Sequence, residues 1–253
     1  MMNERLSAVD AAWLRMDSPT NRMMITSVLT FDEPIDFGAL ARLLEERLLP
    51  HERFRQRVVD GARGPSWELD PEFDLRSHLH HVALPEPGDR ATLAELVSDL
   101  MSSPLDRTRP LWQAHLVDGI EGGGAALVVR LSHCIGDGIA LVRLLLSLTD
   151  DARGAAPQHV GRELPHVAGL LRRARLAANE VRAAVRLVTL PPDPPTVLSE
   201  PLGVRKHAAW LPPLPLAPLE ARAQAAGATI NDLLLAAVAG ALREYLEARH
   251  AWR

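Results

Sequence analysis

Nine prolines between residues 191 and 218 set the first limit on how this chain folds. Each removes a backbone donor and pushes its predecessor away from helical geometry. The stretch from Pro191 to Pro218 therefore cannot be one helix, and it reads as an extended connector between two packed units. The expected organisation is a first unit over residues 1–150, a linking region over 151–203, and the start of a truncated second unit over 204–253. With 253 residues the chain has room for such a division.

Ahead of the connector, strand and helix patterns alternate. Ser7 and Asp10 fit a capping box before an apolar stripe through Ala11 and Leu14. Met24–Phe31 is rich in β-branched residues and predicts a strand. Asp36 is placed to cap a helix from Phe37 to about Leu49, with Leu40, Leu43, Leu44 and Leu48 on one face. Short strands are expected at Phe54–Val59 and Leu75–Leu84, then a helix over Ala91–Met101. Leu111–Ile120 and Ala125–Ser132 read as strands joined through Glu121–Gly124, a hairpin signal. A helix is expected from Gly138 to about Leu148. Strands mixed with covering helices predict an α/β layered domain.

Within the linking region, Val167, Leu170, Ala174, Ala177, Val181, Ala184 and Val188 form an apolar stripe at spacings of three and four. Arg172, Arg175, Arg182 and Arg186 recur opposite it. Two readings stand: a solvated basic face on a helix packed against its own domain, or peripheral contact with an anionic membrane or lipid-droplet surface. After the connector, Val204–Trp210 suggests a strand and Leu219–Ala226 a short helix ended by Gly227. Thr229 is a fair N-cap for a helix over Ile230–Ala248.

Composition narrows the function classes. A formal charge of −4 with 4% aromatics gives no support for a nucleic-acid partner. One cysteine, Cys134, excludes an intrachain disulfide framework and a thiolate zinc site. The opening residues lack a signal-peptide pattern, and the apolar runs are short of a membrane span, so a cytoplasmic chain is expected. His78, His80 and His81 cluster, with His78 and His80 expected on one strand face, yet no ligand pattern around them predicts a metal. Neither a phosphate-binding loop nor a Gly-x-Ser-x-Gly elbow is present.

The leading chemical candidate is Ser132-His133-Cys134-Ile135-Gly136-Asp137-Gly138, at a strand end before a helix. His133 carries the side chain suited to proton transfer near neutrality. A following helix N-terminus favours neutral imidazole, whereas Asp137 favours the charged form. His133 is either a base or a structural histidine. Asp137 is either a cap or the partner of a buried arginine. Gly138 allows tight packing, and Cys134 reads as a small buried hydrophobe.

The segment His133–Gly138 resembles the second half of the His-His-x-x-x-Asp-Gly motif of condensing acyltransferases. Leu6–Asp10 with Trp13-Leu14, Phe54–Arg57, Pro104–Trp112, Pro201–Arg205 and Asn231–Arg243 are similar, in order, to blocks of the bacterial wax ester synthase/diacylglycerol acyltransferases. The resemblance implies a chloramphenicol acetyltransferase-like layered sheet with flanking helices. It also implies transfer of a long-chain acyl group from acyl-coenzyme A, the co-substrate, to diacylglycerol or a fatty alcohol. No separate cofactor is expected. The general base falls on His133, while Asp137, Asn231 and Asp232 carry over as structural or channel-lining residues. Ser132 replaces the first motif histidine, and most of the family's second half is absent. A catalytically silent half-enzyme that keeps lipid-surface or partner binding is the alternative; a condensing enzyme of peptide or polyketide assembly fits the Asn231 block poorly. Localisation on this reading is cytoplasmic, with peripheral contact at the inner membrane or lipid droplets.

Overall fold

The strand Ala125–Ser132, AALVVRLS, is buried at every position. A strand apolar on both faces needs cover on both sides and neighbours at both edges. The computed structural model provides all of these; it describes residues 4–62, 64–136, 148, 190, 197–199 and 201–249. The elements in chain order are β1 (Glu4–Arg5), α1 (Ala8–Met16), β2 (Met24–Phe31), α2 (Phe37–Arg47), β3 (Gln56–Gly61) and β4 (Gly64–Leu69). They continue as β5 (Leu79–Ala83), α3 (Arg90–Ser102), β6 (Trp112–Asp118), β7 (Ala125–Ser132), α4 (Leu216–Ala225) and α5 (Ile230–Ala248). The helix expected from Gly138 and the apolar stripe from Val167 to Val188 lie outside the described residues.

β7 sits inside a four-stranded sheet of order β2-β7-β6-β5. It pairs antiparallel with β2, from Met24 opposite Ser132 to Phe31 opposite Ala125, and antiparallel with β6. β5 joins β6 in parallel. A parallel pair needs a crossover, and α3 supplies it. The β6–β7 connection is the expected hairpin, with Gly122 and Gly123 at φ of 91° and 83°, a region closed to most side chains. A second sheet, β1-β4-β3, is antiparallel.

The period of two along β6 and β7 divides the core. Trp112, Ala114 and Leu116 face the same way as Leu127, Val129 and Leu131, and they pack with Leu40 and Leu44 of α2, with Leu48 at its C-cap, and with Phe54 and Trp67. On the opposite face Val117, Ala126 and Val128 meet Leu93 and Val97 of α3. Trp112 ties the first layer together. It is 1% exposed, its indole N–H donates to the Phe54 carbonyl at 2.8 Å, and its ring stacks on His78 with centroids 4.8 Å apart.

Several expected elements differ in detail. Phe54 lies in a 3-10 turn over Glu52–Phe54, and β3 starts at Gln56. Leu75–Ser77 is likewise a 3-10 turn, because the Asp74 carboxylate accepts the Arg76 N–H and curls the chain before β5. As a result His78 and His80 do not share a strand face. His78 precedes β5, is buried against Trp112 and Phe73, and has its Nδ1 2.8 Å from the Trp112 carbonyl. His80, within β5, instead meets His115 of β6. β4 was not anticipated; its Gly64-Pro65 opening hides a short strand that is held by register with β3.

The strand expected at Val204–Trp210 is not formed. Ser98 and Ser102 of α3 donate their hydroxyl hydrogens to the carbonyls of Ala94 and Ser98, so their oxygens remain free to accept. They take the N–H groups of Ala208 and Lys206, each at 2.8 Å. The donors a strand ladder needs are thus spent on a helix. Lys206, the sole lysine of the chain, donates through Nζ to the carbonyls of Thr20 and Gly203. Leu202–Trp210 accordingly belongs with the sheet unit, whereas α4 and α5 lie in a second unit. α4 starts at Leu216, earlier than expected, since Pro218 falls in the first turn where a missing donor costs nothing. α5 spans the expected range, and Leu234, Leu235, Val238 and Leu242 along it are exposed.

Replacing Trp112 with Phe keeps the stack but removes the indole donor. The buried Phe54 carbonyl then loses its partner, at a cost of about 1–3 kcal/mol. Thermal or urea unfolding of the variant is expected to show that loss; unchanged stability would contradict this role for the indole.

Candidate functional site

The site grows from the point where β7 runs out. Ser132 is opposite Met24 of β2, and its N–H donates to the Leu111 carbonyl at 2.9 Å. The chain then turns: the Ile135 N–H returns to the Ser132 carbonyl at 3.0 Å. The Ser132 Oγ accepts the Cys134 N–H at 3.4 Å and lies 3.1 Å from the Cys134 Sγ. A short hydroxyl side chain closing a turn through a backbone N–H two residues on is a role serine fills well. Ser132 therefore shapes the loop, and the structure gives it no hydrogen bond to the His133 ring.

His133 is held through both backbone and ring. Its N–H donates to the Met23 carbonyl at 3.0 Å, just before β2 begins. Its ring stacks on Trp13 of α1, with centroids 5.0 Å apart and planes 25° apart. α1 is itself set by a cap in which the Ser7 hydroxyl accepts the Asp10 N–H and donates to the Asp10 carboxylate. Desolvation lowers the affinity of the half-buried His133 ring for a proton. The ring makes no hydrogen bond to any described residue. Below its ordinary value the imidazole is neutral at pH 7, the form that accepts a proton.

Cys134 is buried, and burial pushes its thiol up to about 11, which removes it as a nucleophile near neutrality. Asp137 and Gly138 lie outside the described residues. Asn231 and Asp232 open α5 in the second unit. Asn231 is exposed, and Asp232 closes a capping box in which its carboxylate accepts the Thr229 N–H at 2.9 Å and the Thr229 hydroxyl at 2.7 Å. Those bonds hold its carboxyl below the usual range. The structure thus brings Ser132 and His133 together with Trp13, and gives Asp232 a helix-capping role.

Two other histidines, His78 and His115, are buried in the core, and His80 lies half-buried beside His115. Desolvation lowers His78 and His80, and His115 falls to about 4 with the nearby His80 and Arg130 contributing. Arg130 is buried and donates to the carbonyls of Leu100 and Ser103 and to Gln113. A cation there faces carbonyls at the end of α3, where the helix dipole favours it. No group of three or more metal-ligating side chains occurs among the described residues. No single described helix is long and apolar enough to cross a membrane. Nothing in the local sequence places Trp13 against the candidate site. It stood in the opening motif, but stacking on a residue 120 positions away leaves no local signal.

A model of the wax ester synthase/diacylglycerol acyltransferase catalytic domain matches residues 6–159. A Mycobacterium tuberculosis protein provisionally named a diacylglycerol O-acyltransferase is 34% identical, the match covering 96% of this chain and 59% of that protein. A second from the same organism, described as a probable diacylglycerol O-acyltransferase, is 30% identical over 95% of this chain and 57% of its own. Among solved structures, the wax ester synthase/diacylglycerol acyltransferase of Marinobacter aquaeolei VT8 superposes with a TM-score of 0.68 at 25% identity, over 98% of this chain and 62% of that one. The first condensation domain of the CDA synthetase has a TM-score of 0.59 at 20% identity, a likeness of fold. The chain thus spans about three-fifths of the length of these relatives.

Because desolvation is what depresses His133, its titration followed by NMR is expected to have a midpoint below 6.5. Trp13→Ala admits water to the ring face and is expected to move that midpoint upward toward 6.5. A wild-type midpoint at or above 6.5 would contradict the assignment.

Proposed function

Since the chain belongs to the wax ester synthase/diacylglycerol acyltransferase family, we propose that it serves an acyltransferase that moves a long-chain acyl group from acyl-coenzyme A to diacylglycerol or a fatty alcohol, with His133 as general base. The observation that carries this reading is the neutral, half-buried imidazole held at the end of β7 against Trp13. His133 would take the hydroxyl proton as the alcohol oxygen attacks the thioester carbonyl. The tetrahedral intermediate then expels the thiolate of coenzyme A, the C–S bond breaks, and the imidazolium returns its proton to that sulfur. The ester and free coenzyme A are the products, and His133 ends neutral. No other cofactor enters this scheme.

Desolvation suits such a base in two ways. It keeps imidazole unprotonated, and it places the developing charges in a medium where alignment of the substrates and nearby dipoles count for more than in water. Ser132 in place of the first motif histidine is compatible with this scheme, because its hydroxyl contributes to the turn that presents His133.

The test is acceptor-dependent thiol release from palmitoyl-coenzyme A with diacylglycerol or hexadecanol. His133→Ala is expected to lower it by about 10²- to 10⁴-fold, the usual contribution of a positioned base. The acid limb of kcat/KM should fall below pH 6.5, because a base with a lowered pKa stays neutral to lower pH. If folded protein releases no thiol in an acceptor-dependent way, alone or with the C-terminal region of a relative added, the reading is overturned.

A further inference from the structure

The nine residues of α1 are too few to hold a helix in water, so contacts outside it set where Trp13 stands. Ala11 is buried, and Leu14 packs on the first core layer while staying partly exposed. Polar groups bind the C-terminal end. Asp17, the C-cap, accepts the Met23 N–H through one carboxylate oxygen at 3.0 Å. Its other oxygen is 3.3 Å from an Arg107 nitrogen and 3.5 Å from an Arg22 nitrogen. Arg107 also donates to the Leu14 carbonyl at 3.1 Å, one of those that the last turn of a helix leaves open. A cation at that end suits the helix dipole, whereas an acid opposes it. The position of Asp17 is thus unfavourable for α1 taken alone, and the bonds it makes to other segments account for it.

Those bonds close a circuit around the candidate base. Met23 gives its N–H to Asp17 and receives the His133 N–H at its carbonyl, at 3.0 Å. Trp13, one turn before Asp17 on α1, stacks on the His133 ring. The backbone of His133 is therefore tied to this carboxylate through Met23, and the face of its ring through α1. No hydrogen bond from a described residue reaches the ring, so its orientation follows the indole.

We propose that Asp17 is a positioning residue for His133: it fixes α1 to the residue ahead of β2 and so holds the Trp13 indole over the imidazole, with Arg107 clamping the helix end. The inference rests on His133 acting as the base. Asp17 has no proton-transfer step of its own and acts through Trp13 and Met23. A catalytic group displaced by about 1 Å loses on the order of 10²-fold in rate, so such a placement carries catalytic weight without contact to the reacting atoms.

The test pairs NMR of the His133 ring with thiol-release kinetics, both on the whole chain. Trp13→Leu marks where the ring signals fall without the indole ring current. Asp17→Ala is expected to move the signals toward that position and to lower kcat and kcat/KM together, by about 10- to 100-fold. Asp17→Asn keeps an acceptor for the Met23 N–H and should recover part of both. Arg107→Gln, at a side chain 57% exposed, is expected to act in the same direction but less. It keeps the test alive if unfolding curves show that Asp17→Ala does not fold. Ring signals at the wild-type position in the folded variants, or displaced signals with unchanged kcat, overturn the proposal. A rise in KM alone does so too, because it assigns Asp17 to uniform substrate binding. If the wild-type chain releases no thiol in an acceptor-dependent way, the base assignment falls, while the ring signals still decide whether Asp17 places His133.

Discussion

The pairing of β7 with β2 on one side and β6 on the other is the constraint from which the rest of the sheet unit follows. Eight residues of β7 are in register with eight of β2, so the strand cannot slip by one without turning its apolar sets inside out. That register places Ser132 beside Met24 and brings the Met23 carbonyl to the amide of His133. The candidate base is thus held by the same ladder that builds the core. Trp13, delivered by α1, stacks on its ring from outside the sheet.

Cover on both faces of the sheet has an electrostatic consequence. Arg130 lies on the central strand, buried under α3, and burial lowers its guanidinium to about 10. Among the described residues no carboxylate bonds to it; the carbonyls at the end of α3 and the Gln113 side chain accept its N–H groups. A cation solvated by dipoles repels further positive charge nearby, which adds to the desolvation that holds His115 at about 4 and lowers His80. These histidines are packed as neutral rings. His133 shares their desolvation, yet it sits at the strand end and not within the layer, so its ring stays half-exposed.

α3 does more than complete the crossover. Ser98 and Ser102 satisfy carbonyls of their own helix and present oxygens outward, which lets residues 206 and 208 attach without forming a strand. The part of the chain entering from the proline-rich side is thereby tied to the sheet unit before it leaves for α4 and α5. Lys206 strengthens this tie by donating to the carbonyl of Thr20, within the loop that also carries Asp17 and Arg22.

Elements whose information is local were legible in the sequence. Met24–Phe31 and Ala125–Ser132 were read by composition, Ile230–Ala248 by its Thr229 cap, and the β6–β7 turn by its glycines. The turn carrying His133 was legible for the same reason, and its motif with the ordered blocks around it identified the family. Contacts across the chain decided the remainder. Val204–Trp210 had strand-like residues, but serine oxygens on a distant helix took its donors. The 3-10 turn before β5 redirected His78 into the aromatic core, where Trp112 and Phe73 flank it. Neither the stacking of Trp13 on His133 nor the sharing of Asp17 by Arg22 and Arg107 is written in spacing, because both depend on where separate segments meet after the sheet closes. Local propensity and pattern act over a few residues, whereas burial, and the charge states it sets, exists only once the tertiary layers have packed.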